Sequence, residues 1–267
     1  MHVDIKDDLR QSIVVTKNEI KKFMAGKRIL LFGILVLALE LLNLIIPFIL
    51  GSGFDSATDA AESLLGNITL FIVIAAILFT ATSIVSEFEE RTALMLFTKP
   101  IRKWSIFMGK LLASLIIMIG FLVILYLFSA IVCLATCGSI ASGMATSFGL
   151  AICGALGTSG LAIMLSSIFK KGSTASIMTL VFYLLILGIV GALIVQYAHI
   201  EIWWMLDQAM SNIIYAMGVP NVVSTDPIII VYTAVPSSEL VRSGGIMVAW
   251  GIVTAIVGFF FFNKRDF

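Results

Sequence analysis

Six stretches of this chain, near 29–50, 68–86, 111–135, 144–169, 176–197 and 245–262, are each long and apolar enough to form a helix across a bilayer. A crossing needs about 20 largely apolar residues to span roughly 30 Å of hydrocarbon, and these segments meet that length to within tilt and boundary error. Few folds remain open to a chain built this way. Of its 267 residues, 60% are hydrophobic and 12% charged, and the mean hydropathy of +1.10 lies outside the range of water-soluble domains. The reading is an all-α integral membrane protein with one transmembrane domain over 1–267.

Six crossings put both termini on one side, and the Lys/Arg distribution decides which. Seven basic residues precede the first span (Lys6, Arg10, Lys17, Lys21, Lys22, Lys27, Arg28), and five lie between spans two and three (Arg91, Lys99, Arg102, Lys103, Lys110). Lys170 and Lys171 follow span four, Lys264 and Arg265 close the chain, and only Arg242 falls on the opposite side. The positive-inside rule therefore assigns both termini to the cytoplasm. The outer loops are short and acidic, with Asp55, Asp59 and Glu62 in the first and Glu201, Asp207, Asp226 and Glu239 in the 198–243 loop. In that loop Trp203, Trp204 and Tyr215 suit a helix that lies among headgroups or dips back in, either as a lid over the outer ends of spans five and six or in contact with substrate.

Residues 1–28 carry no cleavable signal pattern. They repeat Leu9, Ile13, Ile20, Phe23 and Met24 at helical spacing beside Lys17, Lys21 and Lys22, the pattern of an amphipathic elbow helix on the inner membrane surface. A loosely ordered basic tail attracted to anionic lipid is the alternative.

Between spans two and three, 87–104 reads as a cytoplasmic segment whose first half is a short helix. Ser86 and Glu89 form a capping box, Glu87 and Glu90 sit at its positive end, Lys99 lies near its negative end, and Pro100 stops it. Ala93, Leu94, Met95, Leu96 and Phe97 are apolar in five successive positions, so they point all round the axis and cannot all face one surface. Either a second protein covers part of this helix, with Glu89, Glu90, Arg91, Arg102 and Lys103 setting the register, or it folds back into its own bundle.

This segment resembles the one between spans two and three of type 2 ABC transporter permeases. The matching residues are Glu87, Glu89 and Glu90, Arg91-Thr92, Leu94 to Phe97, Thr98-Lys99-Pro100, Arg102-Lys103 and Gly109-Lys110, and the short basic end Asn-Lys-Arg-Asp-Phe is similar too. Ala93-Leu94 departs from the Leu-Glu of many relatives. The resemblance implies an exporter permease whose 87–99 coupling helix seats on a separate ABC ATP-binding subunit. Two copies of that subunit, a second permease copy, identical or homologous, and residence in the plasma membrane are also implied. By the same resemblance, Glu87, Glu89, Glu90, Arg91, Thr92, Leu94, Met95, Leu96, Phe97, Lys99, Pro100 and Arg102 dock the ATPase. The chain has no GxxxxGK[ST] loop, so ATP and Mg belong to the partner and no cofactor is expected on this chain.

Glu40 is the one acidic residue well inside a span, about 18 Å of helix rise beyond Arg28. Burial there costs at least ~2.5 kcal/mol unless the group is solvated, paired or protonated. Asn43 and Pro47 share its face. That face either lines a translocation path between two permease copies or holds a structural hydrogen bond to a neighbouring helix. Cys133, Cys137 and Cys153, with Met144, offer soft ligands in principle, but apolar thiols of this kind are packing residues, and no metal site is expected. Gly149, Gly154, Gly157 and Gly160 are expected to let span four approach its neighbours closely. With His2 and His199 as its only histidines and no HExxH or GxSxG motif, the chain offers no constellation for an intramembrane enzyme. A non-transporting ABC-like scaffold remains the alternative function. The net charge of +1 gives no sign of nucleic acid as a partner, leaving the bilayer and the ABC subunits.

Overall fold

The computed structural model describes residues 5–51, 53–86, 102–198, 202–226 and 229–264. Among them are six helices long and apolar enough to cross a membrane, in the order and near the positions that hydropathy predicts. Helix α1 (Ile5–Ala25) ends at Gly26, whose extended backbone (φ −83, ψ 145) starts α2 (Lys27–Ile49), the first span. A side chain at position 26 would press on the carbonyls of Lys22 and Phe23 at 3.3 Å. Pro47 sits in the final turns of α2, and Gly51 (φ 76) and Gly53 (φ 60) then supply the left-handed backbone that reverses the chain.

A short helix α3 (Ala57–Leu65) follows where an irregular loop was expected. Its start is fixed by Ser56, whose hydroxyl accepts from the Asp59 amide at 3.1 Å. Its Ala60, Ala61, Leu64 and Leu65 are buried, so the acidic residues of this loop ride on the outer face of a packed helix. Span two is α4 (Ile68–Ala75), which continues as a π-helical turn (Ala76–Thr80).

Span three, α5 (Lys103–Cys137), begins eight residues before the apolar stretch that marks it in the sequence. Its 35 residues reach about 52 Å, some 20 Å more than hydrocarbon requires, so its first turns stand clear of the membrane core. Gly138 (φ 69) closes it. Span four, α6 (Met144–Ile168), is the most enclosed helix of the bundle. It packs along span six, α9 (Ser237–Lys264), through facing glycines: a Cβ on Gly160 would strike the Gly251 carbonyl, and one on Gly157 would lie 2.9 Å from the Met247 carbonyl. Gly154 also abuts its neighbours, whereas Gly149 has nothing nearby, so three of the four small positions act as the sequence suggests. Span five starts as α7 (Gly172–Val181) and continues through π-helical Phe182–Ile189 and Ile194–Ala198.

Between spans five and six, α8 (Leu206–Tyr215) inserts Leu206, Ala209, Met210 and Ile213 among α4, α6 and α9. This short helix caps the bundle more than it floats on it. A two-stranded antiparallel hairpin follows, β1 (Asn221–Asp226) with β2 (Ile229–Thr233), pairing Asn221 with Thr233 and Val223 with Val231. It is the one departure from helix among the described residues. Around the bundle, exposed Leu30, Leu31, Ile34, Ile124, Leu127, Ile131, Val253 and Ile256 form the apolar belt expected of a chain whose solvent is lipid.

Candidate functional site

Of the residues expected to dock an ATPase, Glu87 to Pro100 lie outside the described residues, while the structure places both flanks of that segment in detail. At the near flank, Lys110 reaches across from α5 to the end of span two, where its ammonium donates to the Ser83 carbonyl at 2.8 Å. The Ile84 amide donates to the Ser166 hydroxyl of α6 at 3.3 Å. Ser86, expected to cap the next helix, donates its own hydroxyl to Ser83, and its anticipated partner Glu89 lies outside the described residues.

At the far flank, Arg102 pairs with Asp8 of α1 (Nη1 to Oδ2, 2.6 Å), and Ser105 donates to the Asp8 carbonyl at 3.1 Å. Arg102 is thus engaged within its own chain. Lys103 donates to the Asn263 carbonyl at 3.1 Å, and Trp104 and Phe107 meet Phe259 edge-on at 4.9 and 5.6 Å, which fastens the start of α5 to the end of span six.

The same Lys110 ammonium binds Glu19 of α1 at 2.8 Å, and its side chain is only 2% exposed. One cation therefore joins α1, the end of span two and the start of span three. At Gly109, the residue before it, α1 and α5 approach closely: a Cβ there would lie 2.7 Å from the Val15 side chain and 2.9 Å from the Ser12 carbonyl. Thr16 uses this proximity to donate to the Gly109 carbonyl at 3.1 Å.

The face α1 turns to the bundle is largely polar, and of the apolar stripe only Ile20 and Phe23 pack there. Ser12, Thr16, Glu19 and Phe23 are turned against the bundle, with Asp8 half-buried in line with them. Leu9, Ile13 and Met24 of the expected stripe are 60%, 65% and 68% exposed. Hydrogen bonds and an ion pair to α5 satisfy the polar stripe, and the apolar stripe is left to the surroundings, so the helix is amphipathic with both faces employed. Asp8, Ser12, Thr16 and Glu19 were not singled out in the sequence; their regular spacing of three and four is the signal that they share a partner.

Glu40 follows Phe32 and Val36 on the buried stripe of α2 and is 2% exposed. It faces its own bundle. The Phe32 ring packs on Phe121 of α5 at 4.7 Å and on Phe79 at 5.7 Å. Spans one and three run in the same direction, so a further eight residues, about 12 Å, bring Glu40 and Ser129 to one level. Neither oxygen of Glu40, nor Ser129 Oγ, nor Asn43 Nδ2 has a hydrogen-bond partner among the described residues. The Asn43 carbonyl accepts from Ser63 at 3.1 Å, and the Pro47 carbonyl accepts from the Gly53 amide at 3.2 Å. Among the described residues, Glu40 thus makes no hydrogen bond to a neighbouring helix.

Cys133 donates weakly to the Ala57 carbonyl at 3.6 Å, and Cys153 is half-buried. No group of three or more metal-ligating His, Cys, Asp or Glu side chains occurs among the described residues.

Six spanning helices, with a cationic hub that ties both flanks of one inter-span segment to an N-terminal elbow, set the frame for comparison. The profile of the family described as ABC-2 family transporter protein matches residues 13–267. The chain belongs to that family. No curated protein sequence matches it. An ABC-2 protein is the membrane component of an ABC transporter: a multi-pass transport subunit, not itself an enzyme, that works with an ATP-binding subunit. Within this family member, the hub at Lys110 stands at both flanks of the segment whose sequence first suggested the assignment.

Proposed function

We propose that this chain is the permease of an ATP-driven exporter, lining the translocation path and receiving ATPase motions through the 87–99 coupling helix. Two ATP-binding subunits, which carry the ATP and Mg, act on two permease copies in the plasma membrane, with both termini of each in the cytoplasm. The observation that carries this reading is the bracing of both flanks of 87–101 by Lys110 and Arg102. A push on a segment held this way moves α1, the end of span two and the start of span three together, because packed elements transmit displacement and do not absorb it. At the opposite end of the bundle, Arg242 lies over the Trp203 ring at 5.4 Å, and Trp250 donates to the Trp204 carbonyl at 2.8 Å. Such an aromatic girdle supports placing the 198–243 loop at the outer interface.

Within the path, the unpaired Glu40, with Ser129 at its level and Asn43 one turn on, is the polar position that a passing substrate meets, and Pro47 lies further along the same helix. The test is co-purification of the tagged chain from gently solubilised membranes, with Leu96→Glu/Phe97→Glu as the comparison. An ABC ATP-binding subunit recovered with the wild type and lost from the double variant supports the reading. Its absence from a well-folded wild type rejects it and favours a scaffold.

A further inference from the structure

The six apolar stretches of this chain contain one side chain of the Asp, Glu, Lys, Arg and His class, Glu40. Both of its oxygens lack a hydrogen-bond partner although the residue is only 2% exposed. Its surroundings follow from two helices that run side by side. Phe32, Val36 and Glu40 form the buried stripe of α2, and Phe121, Leu125 and Ser129 follow at the same spacing on α5. Phe32 and Phe121 touch where the stripes begin, so Glu40 and the fully buried Ser129 come to one level two turns on. The Ser129 hydroxyl is unpartnered as well.

Towards the ends of the two helices this level is closed by α3, because Ser63 donates to the Asn43 carbonyl at 3.1 Å and Cys133 to the Ala57 carbonyl at 3.6 Å. Towards their starts lies a cavity of about 10 Å³, lined only by apolar side chains that include Phe32, Phe121 and Leu125, with no polar group to hold water beside the carboxylate. Three acceptor oxygens, two on Glu40 and one on Ser129, thus stand at one level between apolar walls. A primary ammonium has three N–H donors and one positive charge, so a single such group satisfies the oxygens and offsets the buried acid. An anionic ligand would meet like charge with no basic side chain in the spans to match it. The same lack leaves the phosphate of an aminophospholipid unmatched. Hard metal cations take roughly six oxygens, which this level does not supply.

We propose that the level of Glu40 and Ser129 binds the primary ammonium of a free amphiphilic amine, whose apolar body lies against the aromatic and aliphatic walls. That such amines are also the transported substrate rests on the reading of Glu40 as part of the path.

The full chain is placed in phosphatidylcholine nanodiscs, whose headgroups carry no N–H donor, and equilibrated with naphthylethylamine, naphthylethanol or naphthylacetate, with empty nanodiscs as the blank. The expected result is that the amine binds more tightly than the alcohol and that the acetate does not bind. In Glu40→Gln the amine loses about tenfold or more in affinity while the alcohol is unchanged, since the hydrogen bonds lost are those to a charged group. Ser129→Ala costs the amine about fivefold, and Glu40→Asp keeps part of the affinity. Asp55→Asn, which removes an exposed acid, leaves it unchanged. Should Glu40→Gln fail to fold, Ser129→Ala carries the test. Equal binding of amine and alcohol, tighter binding of the acetate, no binding of any probe, or an amine affinity that survives Glu40→Gln would overturn the proposal. So would displacement of the amine by phosphatidylethanolamine in the disc, or radioactive sodium bound by the wild type and lost in Glu40→Gln. No ATPase enters this assay. Amine binding as expected, with ATP turnover unchanged in Glu40→Gln, supports the site and removes only the path reading.

Discussion

Removing one partner of the Glu19–Lys110 pair isolates the contribution of the hub that joins α1 to spans two and three. In Glu19→Leu the Lys110 ammonium keeps the Ser83 carbonyl but loses the Glu19 carboxylate, and at 2% side-chain exposure it has little access to water. Breaking a buried pair from one side costs about 3–5 kcal/mol, because the remaining buried charge loses a charged partner. In Lys110→Met the stranded group is Glu19, whose side chain is 11% exposed and can recruit water, so the expected cost is lower, about 1–3 kcal/mol. The double variant replaces both charges by apolar groups and should return to within about 1 kcal/mol of wild type, since buried pairs often exchange with hydrophobic residues at little net cost. The assay is equilibrium unfolding in mixed micelles as the dodecyl sulfate fraction rises, read for all four proteins. A double variant markedly more stable than the Glu19→Leu chain is the signature of direct coupling. Single losses that simply add, or that each stay near zero, would refute the hub.

Three other outcomes follow from the structure. Gly109→Ala puts a methyl group 2.7 Å from Val15, so α1 must shift off α5; a loss of about 1–3 kcal/mol, with faster proteolysis within residues 1–28, is expected. Glu40→Leu removes two unpartnered oxygens and should stabilise the fold by about 1–3 kcal/mol while abolishing substrate-stimulated ATP turnover. Unchanged turnover in that variant would remove Glu40 from the path. Asp207, in the first turn of α8, has its pKa raised by burial, an effect that a hydrogen bond from Tyr183 opposes. The folded state therefore holds this proton more tightly than the unfolded one, and stability declines as pH climbs above the ordinary carboxylate range. Asp207→Asn should be the more stable protein at neutral pH, with the difference closing as pH falls towards that range, measured by thermal unfolding at a series of pH values.

The spans were legible because lipid imposes a length and a composition on each crossing that no other constraint overrides. Their ends were less so. Hydropathy places span three from 111, yet the helix begins at Lys103, since Arg102, Ser105 and Lys110 find partners on α1 and cost nothing by being helical outside the hydrocarbon. Helix α3 escaped notice because nine residues rich in alanine and acid carry too weak a period to distinguish a packed helix from a loop. The strands Asn221–Asp226 and Ile229–Thr233 are short and, among the described residues, pair only with each other. In α1 the spacing of Leu9, Ile13, Ile20, Phe23 and Met24 indicated an amphipathic helix; the polar stripe that holds it to the bundle was not read, because its partners on the start of span three are distant in the sequence. That Glu40 is buried was readable from its position in span one; that it faces inward with no partner required the orientation of Phe32 and Val36 on the same stripe.

Coupling is tested most directly by the ATP turnover of the captured ATP-binding subunit, measured alone, with the wild-type chain, and with the Leu96→Glu/Phe97→Glu chain in the same lipid. The account predicts that the wild-type chain changes the turnover several-fold and that the double variant, though folded, leaves it at the value of the isolated subunit. Equal turnover with wild type and double variant would show that the 87–99 segment does not carry ATPase motion into the membrane, and the coupling role assigned to it would fall.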